Sequence, residues 1–160
     1  MNNLIYTKTY SPPPVDEREA LRYAGVKEKS DEITALLQDC VDEASPRLTY
    51  KVCYGEFEIS CSGVELDLTF AKVNSRLLAK NLRGCHKIVL FCATVGVEMD
   101  RLIAKYATIS PAKSVVLDAL GSERVEAVCD LFDAEITERA RGEGCKASDP
   151  IPVFPGQEHQ

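Results

Sequence analysis

The sequence predicts an α+β domain: an antiparallel or mixed sheet, made of a meander of three strands plus a buried central strand, packed with helices. Three observations carry this expectation. Ile88 to Ala93 is an unbroken apolar run dense in Ile, Val and Phe, the pattern of a strand covered on both faces. Between Thr49 and Phe70 apolar residues recur at every second position, the mark of half-buried strands. From Ala112 to Ala140 there is no proline, and Gly121 is the sole breaker, so the segment reads as one long helix or two stacked ones. Strands followed by helices, rather than a regular alternation, favour α+β.

The elements follow in order. Residues 1–15 end in Ser11-Pro12-Pro13-Pro14 and read as an extended tether, because proline cannot sit inside a helix. Asp16 with Glu19 three residues on has the form of a capping box and starts a helix over Glu17–Ala24 that stops at Gly25. Ile33, Leu36, Leu37, Cys40, Val41 and Ala44 share one face of a second helix, Asp31–Ala44, broken by Ser45-Pro46. Tyr50, Val52 and Tyr54 form the first strand face. Phe57, Ile59 and Cys61 form the second after a turn at Gly55, and Val64, Leu66, Leu68 and Phe70 the third after Ser62-Gly63. A helix over Val73–Leu82 places Leu77, Leu78 and Leu82 inward and stops at Gly84. After the apolar strand, Gly96 is a break and Val97, Leu102 and Ile103 begin a helical spacing. Residues 142–160, rich in glycine and proline, read as an irregular tail, so the folded domain is expected over residues 16–141.

Composition narrows the function classes. Hydrophobic residues at 45% and charged residues at 28% are ordinary for a soluble globular protein. A net charge of −6 argues against nucleic acid or an anionic membrane as partner. No apolar run approaches the ~20 residues that span a bilayer, and the first residues lack a signal-peptide core, so a cytoplasmic location is expected. Seven cysteines without a Cys-x-x-Cys pair, and two histidines, supply no zinc-ligand spacing. Most of these cysteines occupy apolar positions and are expected to be reduced packing residues, with no metal site.

The long helical segment carries the chemistry worth weighing. Asp118, Ser122, Glu126, Cys129 or Asp130, and Asp133 fall at three- or four-residue steps and share a polar stripe, with Val125, Val128, Phe132 and Ile136 opposite. A solvated helix face explains such a stripe as a first reading; a seat for an ammonium or sulfonium ion is the sharper one. Thr94-Val95-Gly96 ends a buried strand at a helix start, where free amides can take an anion or carboxylate. His86 reads as a surface or capping residue, His159 as inert, and the Tyr50, Tyr54 and Phe57 cluster as sheet packing. No catalytic residue is assigned.

Three blocks add a resemblance. Glu19-Ala-Leu-Arg-Tyr-Ala-Gly25, Leu90-Phe-Cys-Ala-Thr-Val-Gly-Val-Glu-Met-Asp-Arg-Leu-Ile103 and Leu117-Asp-Ala-Leu-Gly-Ser-Glu-Arg-Val-Glu-Ala-Val-Cys-Asp130 resemble the stand-alone bacterial relatives of the activation domain of cobalamin-dependent methionine synthase. The likeness runs from about Arg18 to Arg141. It implies S-adenosylmethionine as ligand, and cobalamin carried by a partner, methionine synthase or another corrinoid protein, rather than by this chain. The implied role is accessory: positioning the methyl donor while the partner's oxidised cobalamin is reductively remethylated, a matter of proximity and electrostatics. The chain would be at most a component of that methyltransferase's reactivation. The family's helix glutamate, in an Ala-Leu-x-x-x-x-x-Glu-Ala pattern, maps onto Glu126 through Ala119-Leu120 and Glu126-Ala127. Asp118 and Asp130 join it by stripe alone.

The sequence departs from the family where an arginine followed by Pro/Ser-x-Gly-Tyr is expected. Residues Gly144 to Gln157 hold neither that arginine nor that tyrosine; Phe154-Pro155-Gly156 is the nearest remnant, as in a relative shortened at its C-terminus. Without the arginine a ligand carboxylate loses charge-assisted bonds worth about 1.5–3 kcal/mol each, so binding is expected to be weak or lost. The alternative is therefore a non-catalytic interaction module that keeps the fold.

Overall fold

In the computed structural model, which describes residues 4–148, 150 and 151, the local signals resolve into six strands and five helices. The order is β1 (Ile5–Tyr10), α1 (Glu17–Tyr23), α2 (Asp31–Ala44), β2 (Tyr50–Glu58), β3 (Ser60–Ser62), β4 (Glu65–Asp67), β5 (Lys72–Asn74), α3 (Arg76–Asn81), β6 (Lys87–Thr94), α4 (Val97–Ile109) and α5 (Pro111–Gly142). This is an α+β fold with two three-stranded sheets, in the orders β1-β2-β6 and β3-β4-β5. Expectations falling on residues 152–160, among them Phe154-Pro155-Gly156 and His159, lie outside the described residues.

The chain divides into two units, with divisions inside β1, β2 and β6 and a fourth after Ala147. The larger unit, residues 8–52 and 93–147, is helical. Asp16 caps α1 by accepting the Glu19 N–H at 3.0 Å, as the capping box predicts. Ser30 caps α2 through the Ile33 N–H. Leu37, Cys40 and Ala44 of α2, Met99 and Leu102 of α4, and Leu117, Leu120, Val128 and Phe132 of α5 form the core. The segment Ala112–Ala140 is one helix that continues through Gly121, where a Cβ would lie 3.0 Å from the Met99 Cγ. In the smaller unit, β3 and β4 form a hairpin with Ser62 opposite Glu65, turning at Gly63 in the left-handed region. Leu66, Leu68, Ala79 and Leu82 are its core.

Several expectations change. The turn at Gly55 is absent, and β2 runs straight through it. The buried positions switch phase there, from Tyr50 and Val52 to Phe57, and that switch mimics two strands. Gly55 is required for space rather than for a turn: a Cβ would lie 2.8 Å from the Phe57 ring. The helix expected over Val73–Leu82 is split into β5 and a short α3 capped by Ser75, and Leu77 faces outward. β6 lies at a sheet edge with Leu90 41% exposed, not covered on both faces. A short apolar run carries no alternation, so it reports neither edge nor centre. Part of the segment read as a tether forms β1. Of the seven cysteines only Cys40 is buried; Cys53, Cys61, Cys92 and Cys145 are exposed. Burial pushes the Cys40 thiol up to about 11, so it is a packing residue.

The middle of α5 is buried almost all round, including Glu123 and Arg124 at 3% and 2% exposure. The Arg124 guanidinium donates to Glu123 and, at 2.6 Å each, to the carbonyls of Pro13 and Pro14. Glu123 also accepts the Asp16 N–H at 3.0 Å. One buried ion pair thus fixes the proline segment and the start of α1. Burial opposes the Arg124 charge, yet Glu123 and Tyr50 outweigh it and raise its pKa.

Candidate functional site

The bend between β6 and α4 and the outer face of α5 border an open hollow of about 470 Å³ within the larger unit. Its base is apolar, with Val95 and Met99 buried and Ile103 and Val125 partly so. Gly121 also lines it, and a Cβ there would lie 3.0 Å from the Met99 Cγ. The half-exposed Tyr23, last residue of α1, flanks it. Asp100 in the first turn of α4, and Asp118, Ser122 and Glu126 on α5, make the exposed rim.

Gly96 shapes the bend. Its φ of +90° is left-handed, and a Cβ would lie 2.7 Å from the Thr49 hydroxyl oxygen, so both conformation and space call for glycine. The Thr49 N–H donates to the Val95 carbonyl at 3.0 Å and fastens the bend. The Gly96 N–H donates to the Thr94 hydroxyl oxygen at 3.0 Å. The Gly96 amide is therefore engaged, and the first turn of α4 carries Glu98 and Asp100. An anion, expected as one occupant of Thr94–Gly96, meets neither a free Gly96 amide nor a basic side chain.

Of the residues singled out by sequence, Thr94, Gly96, Asp118 and Glu126 line this one hollow. Asp130 does not; it lies exposed one turn further along α5. Val125, expected on the apolar face away from the stripe, lines the hollow beside Glu126. Asp100, Tyr23 and Met99 were not anticipated. Asp100 stands four residues after Gly96, so one helical turn returns it to the bend, a spacing readable in the sequence. Nothing local marks Tyr23, which arrives from α1 through the tertiary fold. Among the described residues all the charged lining side chains are carboxylates: Asp100, Asp118 and Glu126. A cleft lined by one sign of charge over an apolar base concentrates the opposite charge. The arrangement suits a ligand with a cationic centre and an apolar or aromatic body.

A second polar cluster in this unit is structural. Lys113 on α5 is buried and pairs with Asp39 at 2.6 Å and Glu43 at 2.8 Å, with the Tyr106 ring 4.3 Å below its ammonium. Tyr106 donates to Glu43 at 2.9 Å. The Lys113 hydrogen bond, aided by Tyr106 and Lys105, holds the Glu43 carboxyl down at about 2. Burial works against the Lys113 charge, but Asp39, Glu43 and Tyr106 together raise its pKa. Every member has its partner, and the cluster clasps α2, α4 and α5. Among the described residues no group of three His, Cys, Asp or Glu side chains is placed to hold a metal, and no helix is long and apolar enough to cross a membrane.

No protein-family profile and no curated protein matches the sequence. Among solved structures the fold is similar to the crystal structure of the MetH reactivation domain bound to AdoHcy, with a TM-score of 0.60 and 17% identity. The match covers 95% of this chain and 65% of that one, so the chain spans somewhat less than two-thirds of that domain. At this identity the likeness is one of fold: the chain has the fold of the MetH reactivation domain.

Proposed function

We propose that this chain binds S-adenosylmethionine and serves as an accessory to the reductive reactivation of a cobalamin-dependent methyltransferase, with the cobalamin carried by the partner. The observation that carries this reading is the hollow. Thr94, Gly96, Asp118 and Glu126, chosen from sequence, converge on one cleft whose charged lining is entirely acidic. Its volume of about 470 Å³ falls in the ~300–1,000 Å³ range of small-molecule sites. The carboxylates match the sulfonium and ammonium centres of the ligand, and Tyr23 offers a ring at the edge for a purine. The likeness in fold to a domain solved with AdoHcy supports the same ligand class.

When bound, S-adenosylmethionine supplies a methyl group on a sulfonium. The chain's own residues would bind and orient: Glu126 and Asp118 set the cationic end, and the Gly96 bend leaves the apolar base open to the rest of the molecule. Among the described residues the lining offers no Lys, Arg or His to a ligand carboxylate. Each such bond is worth about 1.5–3 kcal/mol, and affinity in the micromolar range or weaker is expected. The same observation favours the second reading, an interaction module with the ligand function lost. Calorimetry with S-adenosylmethionine on the native chain and on Glu126→Gln separates the two. Binding that the substitution weakens about tenfold supports the first; no heat from either protein supports the second.

A further inference from the structure

We propose that Cys53 and Cys92 form a cross-strand dithiol on the exposed face of the β2–β6 pair, a site of reversible disulfide formation with a glutathione-class disulfide as oxidant. Both are free and exposed, whereas Cys40 is buried. β2 and β6 are hydrogen-bonded neighbours. The Ile59 N–H donates to the His86 carbonyl at 3.0 Å, and counting six residues from that pair along each antiparallel strand puts Cys53 opposite Cys92. At the far end the Thr49 N–H donates to the Val95 carbonyl, a register one residue different. Exposure decides between the two. Lys51 and Cys53 on β2 and Cys92 and Thr94 on β6 are all exposed. They share a face only in the register set by Ile59 and His86, so the extra residue lies at the Thr49 end.

Opposed residues of a hydrogen-bonded antiparallel pair have Cα atoms about 5.5 Å apart, inside the 4.4–6.8 Å that a disulfide spans. Their Cβ atoms, about 4.5–5.5 Å apart, must close to roughly 4 Å. The bond is therefore formable but strained, the class that is readily reduced again. One thiolate attacks oxidised glutathione and releases a glutathione thiol; the second thiolate displaces the remaining glutathione. Each cysteine loses its proton and one electron, and the two electrons reduce the glutathione disulfide to two thiols. The closed bond would bracket β3, β4, β5 and α3 in one covalent loop.

The test is peptide mapping of the full chain after equilibration across a glutathione redox series and an alkylating quench. The expected result is a Cys53–Cys92 linked peptide pair, two hydrogens lighter than the separate peptides, dominant over any other pairing and lost on returning to reduced glutathione. Cys53→Ser should abolish the link and leave Cys92 as a glutathione adduct, and Cys92→Ser the converse. Independent adducts on both cysteines of the native chain with no link between them would overturn the proposal. So would a dominant link to a third cysteine, or thiols that stay reduced across the series.

Discussion

Arg124→Met tests the packing account most severely. The substitution keeps much of the side chain's length and apolar stem but removes the guanidinium. It leaves Glu123, 3% exposed, as a buried carboxylate without its cation, and strips the Pro13 and Pro14 carbonyls of their donor. Breaking a buried ion pair by removing one partner costs about 3–5 kcal/mol. Typical domains have about 5–15 kcal/mol of stability, so the loss is a large fraction of the whole. Urea denaturation followed by circular dichroism should show a lower midpoint at an unchanged m-value. The double variant Glu123→Gln, Arg124→Met no longer buries a charge and should recover about 1–3 kcal/mol of the loss, the desolvation cost of an unpaired group. Limited proteolysis should meanwhile cut faster at Arg18 and Arg22, because the proline segment and the first turn of α1 lose their anchor. A loss below about 1 kcal/mol, the scale of a solvated surface pair, refutes the reasoning, as does a double variant no more stable than the single one.

Other consequences follow from the same structure. The Glu43 carboxyl is held at about 2 in the folded chain against an ordinary 4.5. Its contribution is therefore fully present above the ordinary value and is lost as pH falls from there towards about 2. Glu43→Gln should flatten the acid limb of a stability–pH curve measured by thermal denaturation, and an unchanged limb would count against the clasp. Gly96→Ala must place a side chain at φ +90° and 2.7 Å from the Thr49 oxygen; a loss of about 1–3 kcal/mol is expected, together with weaker ligand binding. Gly121→Val should cost about 1–3 kcal/mol by overpacking against Met99, measured by the same denaturation series, and a neutral outcome would place that contact elsewhere.

Helix limits were legible wherever a cap or breaker was local. Asp16, Ser45-Pro46 and the unbroken run through α5 mark α1, α2 and α5 closely. Strand limits failed at Gly55 because alternation reports which side is buried, and β2 changes its buried side there without turning. The edge position of β6 was not readable, since an apolar run says nothing about neighbours. At the hollow, the polar stripe and the Thr94–Gly96 bend could be picked out because each is periodic or punctuated in the chain. Tyr23 could not, because only tertiary packing brings α1 alongside. The burial of Glu123 and Arg124 has no local signal, because the Pro13 and Pro14 carbonyls that take the guanidinium lie more than a hundred residues away.

The acidic cleft beside the Gly96 bend is proposed to receive a cationic methyl donor. The most direct measurement is an amide NMR titration of the chain with S-adenosylmethionine. Saturable shifts concentrated at Thr94, Gly96, Gly121, Ser122 and Glu126, reduced in Glu126→Gln, are expected. Shifts confined to other parts of the chain, or none at millimolar ligand, would contradict it.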